Sequence, residues 1–409
     1  MPKTKPTAKV INLSLYLLFI LTLCFLALGQ LLRINLPKGA IYPHDFSILL
    51  FMVGFFISQR KKFVADLKKI RLVNKTVLRK YSLEIIAGLW VVVSLTYQII
   101  IKHNLMPLIY DLRIIFYATF TYLTYLQLKK WRRFHQLNRY HYFLMVLGFI
   151  ALFGLIQYLL FFDTRVFVYL GWDDHLGRLI STLLDPNFAG FLIGLGLIYW
   201  QSLKPKLKSW QYLSVNLGFI LALTLTFSRA SYLVVLVSLG LITWLSRQKT
   251  VKLASFFSLS LLLASIYFIP KPPGEGGKLW RSASIKARVI NDFKALNLPI
   301  NFKQLKQQDV NNQLIQQKEQ INQKLPNHAH WPNNLEVLIY HQLGLIGLIL
   351  FLGVLLKWGK RLYLHNKLAG VLLLGLLLHA QFNNTAFEPF VFLIFWGSLT
   401  EVLRFKLDI

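Results

Sequence analysis

Apolar residues run together near 11–32, 43–58, 82–101, 108–128, 142–162, 183–202, 210–227, 231–246, 251–269, 335–356, 368–380 and 388–403, with short polar connections between most of them. Repeated runs of this kind match helices in a hydrocarbon layer, so the pattern predicts an all-α polytopic membrane protein with about twelve transmembrane helices. One interval breaks the rhythm. Residues 270–333 form a long polar insertion between the ninth and tenth stretches, and an insertion of that length in a compact fold calls for a function or for disorder.

Basic residues fall in alternate connections. Lys3, Lys5 and Lys9 precede the first stretch, nine cations lie from Arg60 to Lys80, and Lys129, Lys130, Arg132, Arg133 and Arg139 follow the fourth. The series continues with Lys204, Lys206 and Lys208; Arg247, Lys249 and Lys252; Lys357, Lys360, Arg361 and Lys367; and Arg404 and Lys406. Cytoplasmic loops collect Lys and Arg, so both termini are expected in the cytoplasm and residues 270–333 on the outer face. Removing one span would put basic clusters on both faces, which supports the even count.

Composition agrees. With 55% apolar residues and mean hydropathy +0.50 over 409 residues, a soluble fold is excluded. The net charge of +30 then reads as topology and not as nucleic-acid binding. The single cysteine, Cys24, lies inside the first stretch, which leaves no disulfide framework and no cysteine metal site. That stretch is too long for a signal-peptide core and is expected to stay as an anchor. Residues 60–82 carry Val64, Leu67, Ile70 and Leu78 among many cations, the composition of an interfacial helix on anionic lipid. Asp111 and Arg113, near the outer end of the fourth stretch, each carry an insertion cost of about 2.5–3.5 kcal/mol and are expected to pair with neighbours or reach the interface.

The chemistry-bearing residues collect at the outer boundary. Before the sixth span, Asp173, Asp174 and His175 read as a solvated turn. In the following RLISTLLDPNFAG, Asp185 and Asn187 cap a helix that Pro186 starts, and Gly190, Gly194 and Gly196 allow close packing. That leaves Arg178 without a structural reason. Arg229 sits among Ser228, Ala230 and Ser231, where small neighbours leave room for an anion that a guanidinium can hold bidentately. In the insertion, Ile285, Val289 and Phe293 fall on one helical face with Arg288 beside them, and Val310, Leu314, Ile321 and Leu325 mark a second helix. Its end gathers His328, His330, Trp331, Pro332, Asn333 and Asn334. His-x-His lacks local carboxylates for a metal, while a neutral histidine at a cavity mouth suits a general base.

RLISTLLDPNFAG at 178–190, TFSRASYL at 226–233 and HAHWPNNLEVLIYHQLGLIGLILF at 328–351, in that order around a long outer loop containing SIKARV, resemble the O-antigen ligase family. Polymerases of O-antigen and protein O-oligosaccharyltransferases share its domain. The likeness covers roughly 140–400, which divides the chain into N-terminal helices at 1–140 and a ligase-like domain at 141–409. It implies a GT-C type fold with a large helical periplasmic loop between helices 9 and 10. It also implies a metal-independent, inverting glycosyltransferase without a cofactor, which moves a glycan from undecaprenyl diphosphate to a hydroxyl of lipid A-core or a similar glycolipid or glycan acceptor. The site would lie on the outer face of the bacterial plasma membrane.

By residue, the resemblance gives Arg229 and Arg288 the diphosphate, with Arg178 a further contact, and Asn187, Asn333 and Asn334 motif support. Gly344 and Gly347 match the family's closing Gly-x-x-Gly, but counting back at the usual spacing reaches Asn333 where the family has its histidine. A local shift around Trp331 and Pro332 carries the base to His330, with His328 in reserve. Ligase, polymerase and protein transferase stay open as acceptor choices. A transporter of small anions such as bicarbonate is the rival from another class, although it would need buried charges along a midplane path.

Overall fold

The computed structural model describes all residues except 1–5, 37–38, 70–80, 101–105, 132–140, 171, 174, 204–208, 273–287, 290–291, 294–295, 297–333 and 406–409. Every apolar stretch is a helix: α1 (Pro6–Leu28), α2 (Pro43–Lys69), α3 (Ser82–Ile100), α4 (Met106–Trp131), α5 (Tyr142–Leu160), α6 (Pro186–Ser202), α7 (Ser209–Leu225), α8 (Arg229–Leu245), α9 (Lys249–Phe268), α10 (Leu335–His365), α11 (Lys367–Ala380) and α12 (Pro389–Phe405). Four segments, Leu13–Leu32, Tyr142–Leu160, Lys249–Phe268 and Leu335–His365, are long and apolar enough to cross a membrane, and α3, α7, α8 and α11 include shorter apolar helices. Large apolar side chains face outward, among them Leu159 at 80% exposure, Phe268 at 77% and Trp244 at 76%. Water does not tolerate so wide an apolar surface, whereas lipid does.

A small antiparallel hairpin joins α1 to α2, with β1 (Ile34–Leu36) against β2 (Gly39–Ile41) and Ile34 opposite Ile41. Two boundaries differ from the sequence reading. Residues 60–69 prolong α2 as one continuous helix and do not start a separate interfacial one; residues 70–80 lie outside the described residues. Helix α10 runs to His365 and breaks at Gly344, whose φ of 69° and ψ of −175° lie outside the helical region. Glycine takes that conformation at little cost. The break frees the Leu343 carbonyl, which accepts the Trp90 indole N–H from α3 at 2.9 Å. Glycine is needed at 347 as well, because a Cβ there would lie 2.2 Å from Cβ of Leu343.

Helix α6 is the hub of the interior, buried along nearly its whole length. Its glycines let neighbours approach. A Cβ on Gly194 would sit 2.4 Å from Cγ2 of Val235 on α8, one on Gly190 would sit 2.7 Å from Oγ of Ser231, and one on Gly196 would meet Phe219 of α7 at 2.5 Å. One polar cluster inside the bundle is paired across helices: Gln201 Nε2 donates to Ser258 Oγ at 2.8 Å and Asn216 Nδ2 to the same oxygen at 2.9 Å. Arg113 donates to Asp45 at 3.1 Å and to the Ala40 carbonyl at 2.6 Å, so its charge is answered from α2 and the hairpin. The side chain of Asp111 lies outside the described residues.

The glycine contacts predict opposite outcomes at two sites. Gly194→Ala forces a methyl into Val235 and lowers stability by about 1–3 kcal/mol, as overpacking does. Nothing lies within 4 Å of a Cβ at Gly240, so Gly240→Ala keeps or raises stability through helix propensity, by up to about 1 kcal/mol. Thermal unfolding in detergent separates the two; equal shifts would refute the packing account.

Candidate functional site

The sequence starts α6 with Asp-Pro-Asn, and the geometry follows from that. Pro186 occupies the first turn, and Oδ1 of Asp185 accepts the N–H groups of Asn187 at 2.6 Å and Phe188 at 3.0 Å. The chain reaches this cap through a tight path with Gly177 at φ 63°, Ser181 at 53° and Leu184 at 55°. Glycine is required at 177, where a Cβ would lie 2.4 Å from Pro272 and 2.6 Å from Phe162. Arg178, on this path, is buried, and its Nε donates to the Thr226 carbonyl at 2.9 Å. Nη2 donates to the Phe227 carbonyl at 3.4 Å, and the Leu179 N–H donates to the Leu225 carbonyl at 2.9 Å. Arg178, expected against diphosphate, thus closes the C-terminal end of α7 and fixes the turn into α8.

That turn delivers Arg229 as the first residue of α8, with Ser228 as its cap. Ser228 Oγ lies 2.8 Å from Ser231 Oγ and donates to Asn187 Oδ1 at 3.2 Å, which ties the first turns of α6 and α8 together. Ser231 Oγ lies 3.1 Å from Nε2 of His379, and His379 Nδ1 lies 2.5 Å from Thr385 Oγ1. His379 is fully buried near the end of α11. Two residues on, Gln381 accepts from Nδ2 of Asn334 at 3.0 Å and donates to Glu336 at 2.9 Å. Asn334 caps α10 through its Oδ1, which takes the Val337 N–H at 3.0 Å.

Arg288 reaches the same place from the segment between α9 and α10. Burial holds its guanidinium below the usual arginine range; the carboxylates of Asp185, Asp292 and Asp173 oppose that effect and the charge of Arg229 adds to it. It also lies within electrostatic range of His379. The loop around it is helical where described, at Arg288–Val289 and Asp292–Phe293, with Leu296 N–H bonded to the Asp292 carbonyl at 3.1 Å. Val289 and Phe293 are exposed on this turn.

Glu388 completes the rim. It precedes Pro389, takes the Val391 N–H at 2.7 Å and the Gln30 side-chain N–H at 3.4 Å, and is buried. It lies within electrostatic range of Asp185. Gln30 in turn accepts from Tyr42 at 2.9 Å, which links the rim to the hairpin. Four helices, α6, α8, α10 and α12, therefore start at one end of the bundle, capped by Asp185, Ser228, Asn334 and Glu388. Helix N-termini carry partial positive charge and unpaired N–H groups, which favours an anion. Carboxylates already answer three of them: Asp185 and Glu388 as caps and Glu336 in the first turn of α10. The start of α8 has a neutral cap and no acid in its first turn.

Asp173, His175 and Asp185 each bring one ligand atom within 4.8 Å of the others, a spacing that a divalent cation can bridge. The same two carboxylates face Arg288, so the residues present already supply a counter-charge there. His175 is buried, and its carbonyl is held by Thr164 through N–H and Oγ at 3.1 and 2.7 Å. The turn is therefore solvated at Asp173 and not at His175; Asp174 lies outside the described residues. His328, His330 and Asn333 also lie outside them. Arg178, Asn187, Arg229, Arg288 and Asn334 are brought to one rim, together with His379, Thr385, Ser231 and Glu388, to which sequence reasoning gave no role. For Thr385 and Glu388 the signal was the polar island QFNNTAFEP at 381–389 between the last two apolar runs.

Comparison with known protein families, with curated proteins and with solved structures gives no match for this chain.

Proposed function

We propose that this chain is a membrane glycosyltransferase of the O-antigen ligase type, with a GT-C fold of twelve spans and both termini in the cytoplasm. It transfers a glycan from undecaprenyl diphosphate to an acceptor hydroxyl on the outer face of the plasma membrane. The observation that carries the reading is the convergence of Arg229 and Arg288 at the neutral-capped start of α8. Two guanidinium groups and a helix N-terminus suit a diphosphate leaving group, whose charge grows as the anomeric C–O bond breaks. The bonding electrons pass to the diphosphate oxygen, the acceptor oxygen bonds to the anomeric carbon from the opposite side, and the configuration inverts.

His330 takes the proton of the acceptor hydroxyl in this scheme, with His328 in reserve. General-base help of this kind is worth roughly 10²- to 10⁴-fold. Arg178 acts one step back: by closing the end of α7 it fixes the turn from which Arg229 projects. The network from Ser228 through Ser231 to His379 holds the first turn of α8 in the same way. The acceptor class, lipid A-core, a growing polymer or a protein hydroxyl, depends on the outer loop.

Glycan transfer in membranes tests the roles. Arg229→Lys and Arg288→Lys should each lose at least about tenfold, because a lysine cannot make the bidentate contact, and His330→Ala should lose roughly 10²- to 10⁴-fold. Full activity in all three would end the assignment, and loss in His328→Ala alone would move the base. Surface glycans from a deletion strain separate the acceptors: unattached long chains indicate a ligase, single-repeat products a polymerase.

A further inference from the structure

At the far end of α10 from Asn334, Lys357, Lys360, Arg361, Leu364 and His365 line an open groove of about 460 Å³. At 3.6 residues per turn, positions 353, 357, 360, 361 and 364 share one face of the helix. That face changes its partner along its length. A Cβ on Gly353 would touch Leu83, the second residue of α3, at 3.4 Å. One turn later Lys357 Nζ meets Glu84 at 2.7 Å, and the other Glu84 oxygen takes the Trp358 indole N–H at 3.0 Å. Helix α3 begins at Ser82, so the next turn of α10 runs past its end, and Lys360, Arg361 and Leu364 are exposed.

Charge and apolar surface then decide what the groove takes. Glu84 answers Lys357, whereas neither Lys360 nor Arg361 has an acidic partner among the described residues. Beside these cations, Leu356 is 73% exposed, Leu364 72% and Trp358 49%. Cations on a helix end with an indole and leucines around them fit the boundary between headgroups and acyl chains. A soluble anion would use the cations and leave the leucines without a role.

We propose that this groove binds the phosphate headgroup of an anionic phospholipid, in the leaflet opposite the candidate site. Lys360 and Arg361 hold the phosphate, Lys357 lines the groove with its ammonium fixed by Glu84, and Leu364 and Leu356 contact the acyl chains. The lipid thereby covers the part of α10 that α3 leaves open. The inference is independent of glycan transfer and stands whether or not the chain is a transferase.

Native mass spectrometry of the purified full chain, released from nanodiscs of phosphatidylcholine containing phosphatidylglycerol, tests it. Wild type is expected to retain phosphatidylglycerol in preference to phosphatidylcholine, and K360Q/R361Q to bind it about thirtyfold more weakly, from roughly fivefold per cation. Both positions are exposed, so an unfolding temperature matching wild type in pure phosphatidylcholine confirms that the variant is folded. No preference in wild type, or equal retention in a folded variant, overturns the proposal. Full displacement of the lipid by millimolar inorganic phosphate would reassign the groove to a free anion and also overturn it, whereas retention under phosphate supports the lipid.

Discussion

Helix ends inside an apolar bundle leave backbone groups that water does not reach, and each must find a partner within the protein. The turn from α7 to α8 meets this demand with a buried arginine. Arg178 and the Leu179 N–H take up the carbonyls of Leu225, Thr226 and Phe227, and Phe227 itself stands at φ 51°. If Arg178 were absent, two of these carbonyls would lose a charged donor, at about 1–3 kcal/mol for a buried unsatisfied group. The direction in which Arg229 leaves the bundle follows from this closure. Arg178 thus holds the backbone from which Arg229 projects.

The opposite demand, unpaired N–H groups, arises where α6, α8, α10 and α12 begin. Side chains satisfy it, and their choice sets the local charge. Asp185 and Glu388 bring carboxylates, while Ser228 and Asn334 bring neutral oxygens. The rim consequently has an acidic cap at Asp185 and a neutral one at Ser228, next to Arg229. Arg288 bridges them, drawn by Asp185 and Asp173 and repelled by Arg229.

Much of this was legible from the sequence because bilayer-like runs are long and redundant. All twelve stretches are helices, and the Asp-Pro-Asn cap and the Gly190 and Gly194 packing face follow from local rules. Boundaries were less legible. The basic residues at 60–69 prolong α2, since a polar helix can leave the bundle without a change of backbone. The Gly344 break was visible as a glycine but not as a kink, because its compensation comes from Trp90, far away in sequence. The same distance hid His379, Thr385 and Glu388: each is an ordinary residue in its own segment and acquires meaning from Ser231 or Asp185 across the fold. Arg178 stood out for a sound reason, an arginine at an apolar boundary, but its partners are carbonyls that no side-chain pattern announces.

The central claim is that Arg229 and Arg288 form one anion site on this rim. Equilibrium binding of a polyprenyl diphosphate and of the matching monophosphate, to wild type and to the double variant R229Q/R288Q, tests it most directly. The account predicts that wild type prefers the diphosphate, that the double variant binds it at least about tenfold more weakly, as loss of charge-assisted contacts implies, and that the preference over monophosphate disappears. Unchanged diphosphate affinity in a folded double variant would contradict it.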